Sequence, residues 1–353
     1  MKPIIINGKF LAERMQGIVR YAREMVTALD GLLKKEDRVW LAVPKNAKDI
    51  PDFKHIRVIR VGSRKGLLWE QIELRRFAAH RKNSILLNFC NISPFFPGNS
   101  ITTVHDIMYC VNPSHYTSPR NRVSRLWHML QYRYLFRHER MILTDSRFSK
   151  REIERRYPAA RGKICVIPCA WQHVRAYHES SDWAARFPQL KDGEFFFSLA
   201  TLSKNKNGKW IIETAKRNPG LTFAMAGQIY ETEYDTIPEN VHLLGFVPDD
   251  DACALMKHCR AFLFPSLYEG FGLPPLEALA LGAEVISSDA ASLPEVLGKA
   301  VHYIDPYDYS ADLAALLRQP VADAEETLRR YSWERSAAML LKCIGKVSPP
   351  DPD

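Results

Sequence analysis

The sequence predicts an α/β protein made of two doubly wound, Rossmann-like domains that face each other. Its 353 residues are enough for two domains of ordinary size, and 46% apolar with 25% charged residues is typical of globular proteins. Short apolar runs alternate with segments of helical periodicity in two series, which is the pattern of parallel sheets covered by helices. The series predict a first domain over residues 1–170, a polar linker over 171–194 and a second domain over 195–332.

The first domain is predicted to begin with a buried strand at residues 4–6 and a helix that follows Gly17. His105 and Asp106 come directly after a β-branched strand at 101–104, at the edge where open parallel sheets bind ligands. His105 is therefore a candidate for function, with a purely structural histidine as the alternative. Asp106 either belongs to the site, orients His105 or caps the next turn. Further strands are predicted at residues 39–43, 57–61, 84–90, 140–144 and 163–168.

Residues 119–141 are predicted to form a basic, aromatic and amphipathic helix. Such a helix can lie in a lipid interface, held by apolar burial and by attraction to anionic headgroups. The alternative is a helix whose apolar face belongs to the core and whose arginines are solvated. The segment combines arginines with bulky apolar residues: Arg120, Arg122, Arg125, Arg133, Arg137, Arg140, Leu126, Trp127, Leu130, Tyr134 and Phe136.

The net charge of +9 is distributed unevenly along the chain. Through residue 180 there are 33 Lys+Arg and 15 Asp+Glu, a charge of +18, whereas the remainder has 16 and 25, a charge of −9. A basic domain favours an acidic partner: a nucleic acid, an anionic lipid or a phosphorylated substrate. No recognisable nucleic-acid-binding motif accompanies the charge, so we expect no nucleic-acid partner.

Targeting and cysteine patterns point to the cytoplasm. No run of about 18 uncharged apolar residues is present, and the N-terminus enters a strand without an apolar signal segment. The seven cysteines are odd in number and never spaced C-x-x-C, which argues against a disulfide framework and against a zinc site. We therefore expect a cytoplasmic protein.

The second domain is predicted to open with a strand at residues 195–200 and a lysine-bearing loop. Lys204 and Lys206 lie on this loop, where a lysine can meet a phosphate as a point charge. Further strands are predicted at 221–226, 241–247, 260–264, 284–288 and 300–305, and a last helix at 333–348.

The most informative stretch runs from Phe264 to Glu277 and reads F-P-S-L-Y-E-G-F-G-L-P-P-L-E, a strand, a tight loop and a helix. The N-terminus of a helix directs N–H groups and a positive dipole end at an anion, and Gly270 and Gly272 let the backbone approach a ligand. Glu269 and Glu277 accept hydrogen bonds and donate none, so beside an anion they bind hydroxyls. Phosphate together with several hydroxyls predicts a nucleotide sugar. The alternative is a plain turn with two solvated glutamates.

The spacing E-x(7)-E from Glu269 to Glu277, in this context, resembles the retaining glycosyltransferases of family 4, which have the GT-B fold. The resemblance covers nearly the whole chain and is also carried by I-L-T-x-S-x-F-S-K at residues 142–150 and by His105-Asp106 at a strand end. It implies that Glu269 contacts the transferred sugar, that Glu277 contacts the nucleotide ribose and that His105 lies beside the transferred sugar.

The resemblance also implies the remaining donor contacts. Gly17 would belong to a glycine-bearing loop that faces the diphosphate, with a plain helix N-terminus as the alternative, because the family usually has two glycines there. Family members have an Arg-Lys pair where this chain has Asn205-Lys206, so Lys206 is predicted to meet the diphosphate, and Lys204 is either a substitute cation or solvated. The predicted donor-binding set is completed by Phe246, on the loop that packs on the base, and by Gly270, Phe271, Gly272 and Leu273.

The predicted reaction is transfer of a hexose or deoxyhexose, of mannose, rhamnose or glucose type, with retention at the anomeric carbon. The acceptor is a hydroxyl of a lipid-linked saccharide in surface polysaccharide or lipopolysaccharide synthesis, presented at an anionic membrane surface. The resemblance implies a front-face displacement, in which the leaving diphosphate takes the acceptor proton, and we expect neither a cofactor nor a metal. Asp249–Asp251 are similar to a metal-binding D-x-D motif, but their position directly after Pro248 favours the first turn of a helix instead. The last helix is expected to return to the first domain.

Two other functions are compatible with the sequence. A nucleotide-sugar epimerase of the same fold would turn over with no acceptor present. A non-enzymatic membrane or nucleic-acid binding module would bind polyanions in a salt-sensitive way, unaffected by nucleotide sugars, and would have no use for Glu269 and Glu277.

Overall fold

The structure, a computed structural model, describes residues 2–81, 83–95, 99–116, 118–177, 182–199, 204–227 and 236–347. The chain divides into two compact units. The first unit runs from the N-terminus to Cys169 and resumes at Ser332, and the second spans Ala170–Tyr331.

The first unit is built on a seven-stranded parallel sheet. Its strands are β1 Ile4–Asn7, β2 Val39–Val43, β3 Arg57–Arg60, β4 Ile85–Asn88, β5 Asn99–Thr103, β6 Met141–Thr144 and β7 Ile164–Val166. They lie in the order β3-β2-β1-β4-β5-β6-β7, so the chain direction across the sheet reverses between β1 and β4. The carboxyl ends of the strands beside such a switch point are the preferred ligand site of open α/β sheets.

The second unit repeats this plan with six parallel strands. They are β8 Phe195–Leu199, β9 Thr222–Ala226, β10 Val241–Gly245, β11 Ala261–Phe264, β12 Val285–Ser288 and β13 His302–Ile304. The order is β10-β9-β8-β11-β12-β13, which puts the switch point between β8 and β11. The prediction of two doubly wound α/β domains is confirmed.

Helices cover the sheets. Their bounds are α1 Gly17–Leu32, α2 Gly66–Leu68, α3 Arg75–Ala79, α4 Met108–Val111, α5 Pro119–His138, α6 Arg147–Arg156, α7 Trp183–Arg186, α8 Gly208–Arg217, α9 Asp249–His258, α10 Leu273–Ala280, α11 Leu293–Leu297, α12 Leu313–Leu317, α13 Ala324–Leu328 and α14 Trp333–Val347. Among the described residues no helix combines the length and the apolar character needed to cross a membrane.

The C-terminal helix α14 belongs to the first unit and packs on α1. Apolar residues at helical spacing make this contact possible: Met25 and Leu29 of α1 and Leu340 of α14 are each fully buried. The predicted return of the last helix to the first domain is confirmed.

Residues 171–177 and 182–194, within the segment predicted to be a linker, group with the second unit. Trp171 and Trp183 are buried, and the indole N–H of Trp171 donates to the carbonyl oxygen of Leu328 at 3.0 Å. A 3₁₀ helix at Gln172–Ala176 and the short helix α7 form here. The polar composition of residues 171–194 suggested a linker and gave no indication that its tryptophans are buried.

The basic helix α5 has two halves with different surroundings. In its C-terminal half Tyr132, Leu135 and Phe136 are buried in the core of the first unit. In its N-terminal half Val123 and Leu126 are exposed. The core alternative therefore describes the C-terminal half, whereas apolar residues of the N-terminal half stay exposed.

Candidate active site

The candidate donor site lies at the switch point of the second sheet. Strands β8 and β11 pair directly, with Phe196 opposite Ala261 and Phe197 opposite Phe262. The 3₁₀ turn Lys204–Lys206 lies on the connection that follows β8, and the loop from Pro265 to Gly272 follows β11. Both connections therefore leave the carboxyl ends of neighbouring strands, where a ligand of an open α/β sheet binds.

Hydrogen bonds tie these two connections together. Asn205 Nδ2 donates to the carbonyl oxygen of Tyr268 at 2.7 Å, and the amide of Leu267 donates to the carbonyl oxygen of Asn205 at 2.9 Å. Asn207 takes up a left-handed conformation with φ of 54°, and its Nδ2 donates to the carbonyl oxygen of Pro265 at 3.1 Å. The lysine turn is consequently held at a fixed distance from the loop that carries Glu269.

Lys206 and Glu269 form an ion pair between the two connections. Lys206 Nζ lies 2.7 Å from Glu269 Oε1, and the side chains are 27% and 14% exposed. The ammonium also lies 5.1 Å from the centroid of the Phe264 ring. The pair thus places a cation for a phosphate and a carboxylate for hydroxyls side by side at an accessible position.

The glycine loop ends in the N-terminus of α10. Gly272 is the N-cap, with φ of +93°, a conformation that residues with a side chain rarely adopt. A Cβ at this position would also collide with the Leu293 side chain. Ser292 Oγ lies 3.0 Å from the carbonyl oxygens of both Glu269 and Phe271. Ser292 therefore fixes the loop through two of its carbonyl groups, and the side of the loop that faces away from Ser292 remains for a ligand.

Side chains of the loop contribute less than the sequence predicted. Phe271 and Leu273 are buried, and the ring of Phe271 packs edge-on against Tyr331. Pro274 and Pro275 have no N–H. Any backbone donor to an anion at this helix end has to come from residues 270–273, and Phe271 and Leu273 can serve a nucleotide only through their main chain.

Glu277, the fifth residue of α10, contacts a histidine that sequence reasoning missed. His173 Nε2 lies 2.6 Å from Glu277 Oε1, and the side chains are 2% and 14% exposed. His173 belongs to the segment predicted to be a linker. The two residues are 104 positions apart, so no local sequence pattern predicts their contact.

His105 and Asp106 follow β5 in the first unit. His105 is buried, with Nδ1 2.5 Å from Asp145 Oδ2 and Nε2 2.8 Å from the carbonyl oxygen of Phe89. Burial alone would lower the pKa of His105, but the charge and hydrogen bond of Asp145 outweigh it and raise the pKa above its usual value. Both ring nitrogens lie within hydrogen-bond distance of an oxygen, so contact with a sugar through either nitrogen would require one of these bonds to be exchanged.

Asp145, not Asp106, orients His105. Asp106 Oδ1 accepts a hydrogen bond from the amide of Met108 at 2.8 Å, which is the turn-capping alternative. Asp145 follows β6 just as His105 follows β5, and these strands are neighbours. The position of Asp145 after a predicted strand was the signal that could have found it.

The other predicted donor residues lie at exposed positions. Gly17 is the first residue of α1, in the first unit, and a Cβ there would meet no atom within 4 Å. In the second unit, Phe246 follows β10 with 86% of its surface exposed, and Lys204 is exposed beside Lys206. The structure therefore brings Lys206, Glu269, the glycine loop and Glu277 together in the second unit, while Gly17, His105 and Asp106 belong to the first.

Acidic residues elsewhere in the second unit have structural partners. Asp249–Asp251 form the first turn of α9, as predicted, and Asp251 is ion-paired with Arg186. A cavity of about 320 Å³ beside β13 and α12 is lined by Asp305, Asp308 and Asp312, each of which accepts a hydrogen bond from a backbone amide of its own turn. Within the described ranges, no three metal-ligating side chains come together.

Comparison with known proteins gives a consistent result. The family model of the glycosyl transferases group 1 matches residues 181–334. The O-antigen chain mannosyltransferase B of Escherichia coli is 30% identical over 265 residues, which cover 67% of either chain. The O-antigen chain mannosyltransferase RfbU of Salmonella typhimurium is 25% identical over 258 residues, 69% of this chain and 68% of that protein. The serotype-specific mannosyltransferase WbdA of Escherichia coli is 28% identical over 277 residues, but these are only 33% of its length.

Solved structures share the fold. Sucrose-phosphate synthase from Thermosynechococcus elongatus superposes with a TM-score of 0.73 at 17% identity, covering 98% of this chain and 99% of the other. Anabaena HepE, solved in complex with UDP and glucose, gives a TM-score of 0.68 at 16% identity, covering 98% and 100%.

Proposed function

We propose that this chain, which belongs to the group 1 glycosyl transferases, transfers a hexose or deoxyhexose of mannose type from a nucleotide sugar to a saccharide hydroxyl with retention. The curated relatives named above are mannosyltransferases, two of them of O-antigen chains, which favours a role in surface polysaccharide or lipopolysaccharide synthesis. The acceptor is proposed to be lipid-linked and presented on a cytoplasmic membrane face.

The observation that carries the proposal is the grouping of Lys206, Glu269 and Glu277 around the start of α10. An ammonium and a helix N-terminus suit a diphosphate, and two carboxylates suit the hydroxyls of a sugar and a ribose. Positioning and charge stabilisation of this kind are what the protein must supply in a displacement whose leaving diphosphate takes the acceptor proton. Lys206 would steady the departing diphosphate, and Glu269 would hold the sugar.

The test is a panel of UDP-, GDP-, dTDP- and ADP-sugars, scored first by thermal unfolding. A donor at 100 times its dissociation constant should add about 2.7 kcal/mol to the free energy of unfolding. Turnover is then followed with saccharide acceptors, and retention is read from the anomeric configuration of the product. Stabilisation by no member of the panel, or turnover that needs no acceptor, would contradict the proposal.

Glu277→Ala is expected to weaken nucleoside diphosphate binding, because a ribose hydroxyl loses its acceptor. A hydrogen bond to a charged group contributes about 1.5–3 kcal/mol, a loss of roughly 10- to 150-fold in affinity measured by calorimetry. The matched control is Glu284→Ala, because Glu284 also contacts a buried histidine, His302, at 3.3 Å but lies outside the site. Unchanged affinity in Glu277→Ala would remove the ribose assignment.

Transfer is expected to continue without divalent metal, since Lys206 and the backbone amides of the loop are proposed to stabilise the diphosphate. Activity is measured after treatment with EDTA and again after Mg²⁺ or Mn²⁺ is added back. Activity that EDTA abolishes and metal restores would redirect attention to Asp249–Asp251.

The exposed half of α5 supports peripheral contact with an anionic membrane. Val123, Leu126 and Leu130 are 71%, 59% and 50% exposed, and their spacing of three and four places them on one helical face. Four neighbouring arginines are exposed: Arg120, Arg122, Arg133 and Arg137. Each basic residue near an anionic surface contributes about 1 kcal/mol, so together they suffice for reversible binding.

We expect the protein to sediment with anionic vesicles but not with neutral ones, less so at high salt. Changing the four exposed arginines to Gln should abolish the binding while nucleotide affinity stays intact. Arg125 is left unchanged, because its Nε donates to the carbonyl oxygen of Tyr109 at 2.8 Å. Equal binding to both vesicle types, or to neither, would contradict the membrane proposal.

A further inference from the structure

We propose that His173 is a positioning residue of the donor site, which holds one carboxylate oxygen of Glu277 so that the other is directed at the ribose of the nucleotide sugar. The inference rests on the proposed function, from which it takes the role of Glu277. The sequence motif that contains Glu277 does not include this histidine, which lies 104 residues earlier in the chain.

The contact is short and buried. His173 Nε2 and Glu277 Oε1 are 2.6 Å apart, and only 2% of the histidine side chain is exposed. An ionised carboxylate can only accept, so the hydrogen between the two atoms is on Nε2. A hydrogen bond to a charged group in such surroundings is stronger than a neutral one.

His173 itself is fixed by its neighbours. Trp171 Nε1 donates to the carbonyl oxygen of Leu328 at 3.0 Å, and Gln172 Nε2 donates to that of Tyr331 at 2.9 Å. These bonds fasten the start of the 3₁₀ helix that carries His173 to the end of the same unit. The histidine is thus an anchored donor, and Glu277 is the partner that is held.

The other oxygen of Glu277 remains for a ligand. Within the part of the chain that the structure describes, Glu277 Oε2 makes no hydrogen bond, whereas a carboxylate oxygen can accept two. A glutamate that is ordered only when the ligand binds weakens affinity by a few-fold to about tenfold. His173 removes this loss by ordering Glu277 beforehand.

Two substitutions separate positioning from packing. The amide of His173→Gln reaches the position of Nε2 and can still donate to Glu277, whereas that of His173→Asn reaches only the position of Nδ1. GDP, UDP, dTDP and ADP are titrated into the wild type, and the tightest of the four is used for the variants. We expect His173→Asn to weaken binding by a few-fold to about tenfold, His173→Gln to stay within about twofold of the wild type, and His302→Asn to leave affinity unchanged.

A double-mutant cycle completes the test. In the background of Glu277→Ala, His173→Asn should have no further effect on nucleoside diphosphate affinity, because no carboxylate is left to position. Equal affinities for His173→Asn and His173→Gln, or an undiminished effect of His173→Asn in the Glu277→Ala background, would overturn the inference.

The outcomes distinguish this role from the proposed function. If Glu277→Ala weakens binding and His173→Asn does not, the positioning role alone is rejected. If the wild type binds none of the four nucleoside diphosphates, both the proposed function and the positioning role are rejected. Should His173→Asn not fold, the Nε2 proton of His173 is followed by NMR in the wild type: its persistence with the nucleotide bound supports the inference, and its loss overturns it.

Discussion

Lys206→Gln is expected to lower kcat/KM for the nucleotide sugar by about 10²- to 10³-fold, the effect of removing one electrostatic contact to a developing negative charge. The ammonium lies 2.7 Å from Glu269 in a partly exposed position, so its removal should change the free energy of unfolding by no more than about 1 kcal/mol. Steady-state kinetics with the donor identified by the panel, beside thermal unfolding, measure both quantities.

The Lys206 experiment has a matched control and a distinctive second variant. Lys216 forms a similar pair with Glu213 at 2.8 Å on α8, away from the site, so Lys216→Gln should leave kinetics unchanged. Without Lys206, the charge of Glu269 is left beside the diphosphate and repels it. Adding Glu269→Gln to Lys206→Gln should therefore recover part of the nucleoside diphosphate affinity. A loss of less than about fivefold in the single variant would exclude Lys206 from the diphosphate.

The glycine loop of the candidate site was predictable because its signals are local. A strand, Pro265, two glycines and a helix follow one another within a few residues, and Gly272 adopts a φ of +93°, which favours glycine. The location of the lysine turn after β8 was also predictable, because alternating strands and helices place the loops that follow the strands at one edge of the sheet. The sequence predicted Lys206 for the diphosphate and left Lys204 as either a substitute cation or a solvated lysine. The ion pair with Glu269 is formed by Lys206.

The residues that support the candidate side chains within each unit could not be predicted in the same way. His173 with Glu277 and Asp145 with His105 are contacts between positions 104 and 40 residues apart, which depend on how whole elements pack. The spacing of residues in one strand or helix does not encode them.

The burial of α5 also lay beyond the sequence pattern. Leu130 and Leu135 have the same chemistry, but Leu130 is half exposed whereas Leu135 is fully buried. The two positions are five residues apart and so point about 140° apart around the helix, and Leu135 belongs to the core cluster of the first unit. Periodicity therefore separates the two leucines, but it does not say which face of the helix meets the core.

Glu139→Gln is expected to gain stability over the wild type as the pH rises from about 4.5 to 8. Glu139 is fully enclosed next to the C-terminal end of α5, and burial raises its pKa to about 7, although hydroxyls of Ser93, Ser100 and Thr102 donate to Oε1. Its Oε2 is buried without a hydrogen-bond partner among the residues that the structure describes. A pKa difference from 4.5 to about 7 corresponds to about 3 kcal/mol, at 1.36 kcal/mol per unit.

The sign follows from the folded pKa being the higher one. The unfolded chain releases the proton of Glu139 near pH 4.5 and the folded chain near 7, so the wild type has its full stability below the lower value and loses this contribution as the pH rises through the higher one. Glutamine stays neutral and keeps an oxygen for the three hydroxyls, so the difference in free energy of unfolding between variant and wild type should grow with pH and level off near pH 8. Chemical denaturation at half-unit steps of pH measures it. Glu73→Gln is the control, because backbone amides lower the pKa of this largely covered carboxyl and so confine its effect on stability to more acidic pH. A flat difference for Glu139→Gln above pH 5 would mean that Glu139 is ionised at little cost.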